Sequence, residues 1–444
     1  MAGARSPALK ALLRVEEEKG YSNLVLDAAL GATALSPRDR ALAAAIYYGV
    51  LERRITLDYI LGFYSRTPVA KLSPAVREIL RVGAYQLRYL ERVPASAAVN
   101  ECVKLAKENG EARAAGLVNA VLRSMLREPD KARFPDRKAQ PLRWRSVFYS
   151  CPEDLISFWQ KSYGACLADK ILEGTAAKPD LFLRVNNTRI SEQQLLDKLH
   201  GEGIDAEPAP WPDGAVRVRG AGDLRRSGCF ADGLFHVQDI ASQLCCRILA
   251  PEPGERVLDV CAAPGGKTFT LAERMENRGE IEAFDLYPAR VRLIQTGAGR
   301  LGLSIVHAAS RDAAAPQPGP DPADRVLCDV PCSGLGVIRR KPEIRYKFEA
   351  SIDSLPDLQY RILSKASESV RNGGVLVYST CTLNPAENEG VAGRFTRENR
   401  CFEPLALSLP EGVERAHGEP ENQLTLFPRA GGSDGFFISA FRKR

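Results

Sequence analysis

Through the first 127 residues, apolar positions recur at helical spacing. Leu42, Ile46, Tyr47, Val50 and Leu51 form one face, Val76, Ile79, Leu80, Gly83, Leu87 and Leu90 a second, and Leu117, Val121, Leu122 and Leu126 a third. Ser36-Pro37 with Asp39, and Ser73-Pro74, are helix starts: a capping hydroxyl, then a proline whose missing N–H costs nothing there. From Pro129 to Arg145 the period is lost. Residues 146–235 mix types, with a helix over Leu155 to Tyr163, strands over Leu181 to Val185 and Ala215 to Val218, and a capped helix over Ser191 to Leu199. Beyond Phe235 to Ser242, which leads into a helix, short apolar runs begin at Val257. They recur at Glu280 to Phe284, Ile305 to Ala308, Arg325 to Cys328 and Val375 to Tyr378, with helical stretches at Ala289 to Leu301 and Leu355 to Arg371. That alternation predicts an α/β domain with a doubly wound, Rossmann-like parallel sheet. Leu424 to Phe427 and Phe436 to Phe441 would complete it as a terminal hairpin. The expected order is an all-α domain over 1–128, a linker over 129–145, a small α+β subdomain over 146–235 and the α/β domain over 236–444.

Composition changes this picture in two respects. The net charge of +6 over 444 residues is uneven, because residues 1–150 hold 25 Lys and Arg against 15 Asp and Glu. A basic first third suggests a polyanion partner. Arg77, Arg81, Arg88 and Arg92 line the polar side of the Ser73-Pro74 helix, either as a solvated face or as a ridge touching phosphates. The linker's Lys131, Arg133, Arg137, Lys138, Arg143 and Arg145 carry the same two readings. Eleven cysteines without C-x-x-C pairs, and only four histidines, argue against a disulfide framework or structural zinc, and no metal is expected. With no membrane-length apolar run and no signal-peptide core at the N-terminus, a cytoplasmic protein is expected. Nothing in the sequence fixes the oligomeric state, and a monomer is the working expectation.

Val257 to Thr268, V-L-D-V-C-A-A-P-G-G-K-T, reads as a strand, a glycine turn and a helix start, where backbone N–H groups can face a ligand. A P-loop needs glycine where Cys261 stands, and G-x-G-x-x-G is absent. What fits is Asp285 at the end of the next strand, 18 residues after Lys267, about where an acid meets ribose hydroxyls. A nucleotide-like cofactor is the reading; a plain strand-to-helix turn is the alternative.

Two cysteines follow strand ends: Cys332 in Asp329-Val330-Pro331-Cys332-Ser333-Gly334, and Cys381 in Ser379-Thr380-Cys381-Thr382. A single buried thiol is usually a small hydrophobe, as Cys245, Cys246 and Cys328 are expected to be. Two at ligand-binding strand ends suggest nucleophilic chemistry. A thiolate, a nucleotide-like cofactor and a polyanion suit methylation at carbon 5 of a pyrimidine, where thiol addition to carbon 6 makes carbon 5 nucleophilic. A free thiol has a pKa of about 8.5, so the site must supply positive potential, with Lys267 the candidate. Asp329 could hydrogen-bond the base edge.

The stretches Asp39-Arg40-Ala41-Leu42, Tyr48-Gly49-Val50-Leu51, Leu80 to Leu87 and Val118 to Arg123 resemble the antitermination factor NusB, an all-helical RNA-binding module. Cys261 to Lys267, Asp329 to Gly334, Arg339-Arg340-Lys341-Pro342, Ser379 to Thr382 and Pro385 to Glu389 resemble the RNA cytosine-5 methyltransferases of the RsmB/Sun type, which act on 16S ribosomal RNA. Three such motifs in order are specific where one is weak. The resemblance implies a class I methyltransferase fold, S-adenosylmethionine as cofactor and small-subunit rRNA as partner. It implies that Cys381 is the nucleophile and that Cys332 assists product release. Cofactor contacts would fall on Cys261, Ala262, Ala263, Pro264, Gly265, Gly266, Lys267, Asp285, Asp312 and Asp329, with Asp312 on a weakly patterned strand. Arg339 and Arg340, close behind Cys332, read as phosphate contacts at the mouth of the site or as a solvated pair. Val330 and Thr382 stand where the family usually has alanine and serine. The rivals are a DNA cytosine-5 methyltransferase, separable by covalent trapping on RNA against DNA; an enzyme of the same superfamily acting on another rRNA or tRNA site; and a non-catalytic RNA-binding factor, which would bind no cofactor.

Overall fold

A computed structural model describes residues 3–18, 22–32, 34–220, 222–315, 322–350 and 354–444. The chain forms two compact units: Met1–Ala176 with Ile338–Phe348, and Ala177–Val337 with Glu349–Arg444.

The first unit is helical. The serines expected to open its helices do so: Ser36 Oγ accepts from the N–H of Asp39 at 3.1 Å, and Ser73 Oγ from that of Val76 at 3.4 Å. The apolar faces read from the sequence meet in one core that includes Ile46, Tyr47, Ile79, Leu80, Val121 and Leu122. Each such buried side chain contributes about 1.5–3 kcal/mol.

One sequence expectation needs correction here. Residues 141–145, expected as the end of an aperiodic linker, open a helix that runs from Pro141 to Tyr149, with Pro141 in its first turn. The helices Glu153–Tyr163 and Ala165–Ala176 also make their contacts within this unit. Leu155, Ile156 and Trp159 are wholly buried, and their helix packs on Pro141–Tyr149. The segment Ile338–Phe348 returns to the same unit. Arg345 donates to the carbonyls of Tyr149 at 3.2 Å and Ser150 at 3.0 Å, and to that of Glu52 at 3.3 Å. These carbonyls end two helices and have no partner within them. Tyr346 donates to Leu51 O at 2.8 Å, and the Glu343 carboxylate accepts from Ser22 N at 2.9 Å.

The second unit holds two sheets. The smaller consists of β1 (Leu181–Val185), β2 (Asp205–Pro208), β3 (Ala215–Arg219) and β4 (Phe235–Val237), antiparallel in the order β2-β3-β1-β4. Phe235 to Val237 was expected as an approach to a helix. It pairs instead with β1, His236 opposite Arg184, so the expected boundary at residue 235 cuts through a strand. Three residues are too few for a periodic signal.

The larger sheet consists of β5 (Arg256–Asp259), β6 (Glu280–Asp285), β7 (Val306–Ser310), β8 (Ala323–Asp329), β9 (Val370–Thr380), β10 (Phe402–Pro404), β11 (Gln423–Leu426) and β12 (Phe436–Lys443). Its order is β10-β12-β9-β8-β5-β6-β7, with β11 on β12. β7, β6, β5, β8 and β9 run parallel, and β12 returns antiparallel. The Rossmann-like fold and its terminal hairpin are as the sequence predicts. After β5 the chain builds to one side through β6 and β7, then crosses to β8 on the other. This places a topological switch between β5 and β8, where ligands of such sheets bind. Arg184 on β1 ties the smaller sheet to the helix Gly266–Arg274 that follows β5, donating to the fully buried Glu273 at 3.3 Å.

Candidate active site

Asp259, Asp285 and Asp329 each end a strand of the larger sheet, at its carboxyl edge. β5 ends at Asp259, whose Oδ2 accepts from Thr268 Oγ1 at 2.7 Å. Its Oδ1 is buried without a hydrogen-bond partner among the described residues. Burial pushes the Asp259 carboxyl up to about 7, against the bond from Thr268. The turn that follows reaches Gly265 at φ +109°, where a Cβ would stand 2.3 Å from the Phe269 ring. Glycine is needed there, and the helix Gly266–Arg274 starts immediately after it. Ala262 N donates to Phe284 O at 2.7 Å, fastening the turn to the end of β6. Asp285, 4% exposed, accepts from Tyr287 N at 3.1 Å and pairs with Arg290 at 3.2 Å. Arg290 also donates to Ala263 O at 2.8 Å, so it bridges the glycine turn and the acid.

Lys267 Nζ donates to Asp329 Oδ2 at 2.7 Å, and Ser379 Oγ to Asp329 Oδ1 at 2.8 Å. Burial works against the charge on Lys267, but Asp329 and Cys245 outweigh it and hold the ammonium above the usual lysine range. Lys267, the sequence's candidate for positive potential at a thiolate, thus has Asp329 as its hydrogen-bonded partner.

β8 and β9 pair in register, Asp329 opposite Ser379. The loops leaving these strands therefore start side by side, and they bring Cys332 Sγ to 3.2 Å from Cys381 Sγ. The hydrogen bond with Cys381, and then burial, push the Cys332 thiol well up, keeping it neutral. Gly336 N donates to Cys381 O at 3.0 Å. A Cβ on Gly336 would lie 2.1 Å from Gly435 O, so only glycine lets these backbones meet.

Beneath the thiols lies Glu387, fully buried. Its carboxylate accepts from Ser333 N at 2.9 Å, from Ser333 Oγ, from Asn384 Nδ2 at 2.9 Å and from Gln359 Nε2 at 2.8 Å. Gln359 also donates to Pro331 O at 2.9 Å, and Thr382 Oγ1 lies 2.6 Å from Ser333 Oγ. One carboxylate thus ties the Cys332 loop to the segment after Cys381. Sequence reading placed Glu387 in a motif without giving it a role, and it passed over Asp259 and Gln359. Their signal was a charged or amide residue inside or beside an apolar stretch, which needs a partner when buried.

The structure brings Asp285, Lys267, Asp329, Cys332 and Cys381 to one edge of the sheet. Asp312 is exposed beyond β7 and closes its own turn, accepting from Ala314 N at 2.9 Å. Arg81 is not on a solvent-facing ridge. It is 2% exposed, and donates to both Asp58 oxygens at 2.7 and 2.6 Å and to Glu78. Arg77 pairs with Glu16 at 2.7 Å and is largely covered. A polar stripe on a helix shows only which side avoids apolar contact, and matched carboxylates can bury it. Arg339 is 3% exposed and so cannot meet a phosphate from solvent, while Arg340 is half-buried. Among the described residues no group of three or more His, Cys, Asp or Glu is placed to hold a metal, and no helix is long and apolar enough to cross a membrane.

Comparison with known proteins divides the chain into three parts, the middle one spanning the boundary between the two units. The description "16S rRNA methyltransferase RsmB/F" matches residues 246–442, the NusB family residues 2–127, and an RsmF/B-like ferredoxin-like domain residues 151–225. A probable ribosomal RNA small subunit methyltransferase B of Bacillus subtilis is 39% identical, over 99% of this chain and 98% of that protein. The chain belongs to the RsmB/F family of 16S rRNA methyltransferases. A counterpart from Synechocystis, also named as a probable ribosomal RNA small subunit methyltransferase B, is 35% identical over the full length of both. Among solved structures, PH0851 shares the fold with a TM-score of 0.83 at 23% identity over 98% of each chain. A methyltransferase homolog from Pyrococcus horikoshii gives 0.59 at 29% identity, over 68% of this chain and 98% of its own.

Proposed function

We propose that this member of the family methylates carbon 5 of a cytosine in small-subunit ribosomal RNA through a covalent adduct at carbon 6. The observation that carries the reading is the contact between Cys332 and Cys381, beside the acid-lined edge of the sheet. S-adenosylmethionine is the cofactor that fits, and it would supply a methyl group on a sulfonium. The turn Cys261 to Lys267 would hold it with backbone N–H groups, and Asp285 would accept from its ribose hydroxyls. Asp259, buried at the end of β5 directly before that turn, would add a carboxylate to the same cradle. Asp312 stands further out and is offered as a contact only at the rim.

The chain's own residues then divide the work. The Cys381 thiolate forms a bond to carbon 6, and the electron pair of the 5,6 double bond makes carbon 5 nucleophilic. Asp329, oriented by Lys267 and Ser379, hydrogen-bonds the base edge. Once carbon 5 carries the methyl, a solvent water takes its proton, the C–H electron pair re-forms the 5,6 double bond, and the bond from Cys381 to carbon 6 breaks with its electron pair on sulfur. Cys332, a neutral thiol at hydrogen-bond distance, hands a proton to the departing Cys381 sulfur and so assists release. The target base has to be unstacked, at a cost of a few kcal/mol that is least in a loop.

The test is a denaturing gel with labelled ribosomal RNA and S-adenosylmethionine. Cys381→Ala should neither methylate nor form an adduct. Cys332→Ala should attack and methylate but release slowly, leaving a retarded protein–RNA band. A band from Cys381→Ala and none from Cys332→Ala would invert the roles. Intact methylation in both would end the covalent reading.

A further inference from the structure

The helical unit leaves a row of aromatic rings facing solvent. On the helix Pro141–Tyr149, Trp144 and Phe148 stack with centroids 4.7 Å apart and planes at 15°. Phe134 lies 6.3 Å from Phe148 on one side and 6.3 Å from Tyr59 on the other, and Tyr59 touches Phe63 at 5.2 Å. Of four large aromatics strongly exposed among the described residues, three stand in this row: Phe63, Phe134 and Phe148 at 37%, 43% and 50%. A soluble surface gains nothing by grouping such rings unless something covers them.

The surroundings indicate what does. The guanidinium of Arg137 lies 4.6 Å from the Trp144 ring centre. Arg133, Arg137 and Lys138 are exposed, and none of them pairs with a carboxylate among the described residues. Asp136, the acid between them, is used in its own turn, accepting from the N–H groups of Lys138 at 2.9 Å and Ala139 at 2.7 Å. Exposed rings interleaved with unmatched cations are the two elements that bind single-stranded nucleic acid: π-faces for bases, cations for phosphates. A duplex offers the cations its phosphates but keeps its base faces stacked.

We propose that the row from Phe63 to Trp144 is a stacking platform for unpaired bases of single-stranded RNA, with Arg133, Arg137 and Lys138 on its backbone. The proposal rests on RNA being the substrate class, and it locates a binding surface on the helical unit.

Trp144 provides the readout. It is the half-buried one of three tryptophans, while Trp159 and Trp211 are 0% and 5% exposed. The full chain would be titrated with a mixed-sequence RNA 12-mer, with its duplex and with inorganic polyphosphate, following tryptophan fluorescence. Single-stranded RNA should quench, and polyphosphate should not. Phe134→Ala with Phe148→Ala should weaken single-strand binding on the order of tenfold or more, while the paired Tyr replacements keep it. The alanine variant should leave the salt slope unchanged. Arg133→Ala with Lys138→Ala should lower that slope by about 0.7 for each phosphate no longer neutralised. Because these rings are exposed, thermal unfolding should stay near wild type. Equal quenching by single strand and duplex, or unaltered affinity in the Phe→Ala variant, would overturn the proposal. So would a dimer in sedimentation that the variant dissolves, since a second copy would then be the occupant. Cys381→Ala should bind the 12-mer like wild type, so failure of the methylation chemistry is read separately from failure of the platform.

Discussion

The sulfur atoms of Cys332 and Cys381 lie 3.2 Å apart although 49 residues separate them in the chain. Two thiols in contact can be oxidised as a pair: hydrogen peroxide takes two electrons and two protons, leaving a disulfide and two waters. The full chain treated with mild peroxide should lose activity and regain it with dithiothreitol. Intact mass should show the loss of two hydrogens, and peptide mapping should place the link between these two cysteines. Neither single Cys→Ala variant should form it. A link elsewhere, or none under conditions that oxidise exposed Cys166 and Cys401, would contradict this proximity.

Glu387 is a positioning residue: it reaches the thiols only through Ser333, Asn384 and Gln359. In Glu387→Gln one acceptor oxygen becomes a donor facing other donors. A buried hydrogen bond to a charged group is worth about 1.5–3 kcal/mol, so methylation should slow roughly tenfold to a hundredfold. The loss should fall in kcat, with cofactor affinity unchanged, since Glu387 lies away from the glycine turn. A general loss of stability with equal effects on both would make its role merely structural.

The parallel strands of the larger sheet, the glycine turn and both cysteines were legible because each is local: an apolar run, a break, a reactive residue at its end. Contact between the thiols was not legible, since it depends on β8 lying beside β9 in one register. The placement of Arg81 and Arg339 was misread for a related reason. Periodicity gives the side of a helix, and a loop position gives proximity in sequence, but neither tells whether Asp58 and Glu78 await a guanidinium in the interior. Ile338–Phe348 follows the Cys332 motif closely in sequence, yet its Arg345 serves carbonyls nearly 200 residues or more away.

Arg81 accordingly belongs to stability. Removing one partner of a buried pair strands the others, at about 3–5 kcal/mol. Arg81→Ala should lower the unfolding free energy, measured in urea, by that amount, and Arg81→Met, which keeps the aliphatic stem, by less. The folded fraction of either should bind RNA with an unaltered salt slope. A changed slope at full stability would return Arg81 to the phosphate contacts.

Asp259 gives the pH dependence. Its carboxyl is pushed up to about 7, chiefly by burial and also by Asp329, with Thr268 and Lys267 opposing. In the unfolded chain it titrates near about 3.9. Between these values the folded state holds a proton that the unfolded state has lost, so this group's contribution to stability falls as pH rises. The slope is up to about 1.4 kcal/mol per pH unit, and the contribution levels off above pH ~7. Other carboxylates, paired in the folded state, act in the opposite sense, so the measurable quantity is a difference. Asp259→Asn keeps an acceptor for Thr268 Oγ1 and removes the titration. Its stability relative to wild type, from urea unfolding, should be least at about pH 4, grow through about pH 7 and then stay constant. A difference independent of pH would mean that Asp259 carries its charge in the folded protein at ordinary acid pH, and that the burial at the end of β5 is offset by a partner.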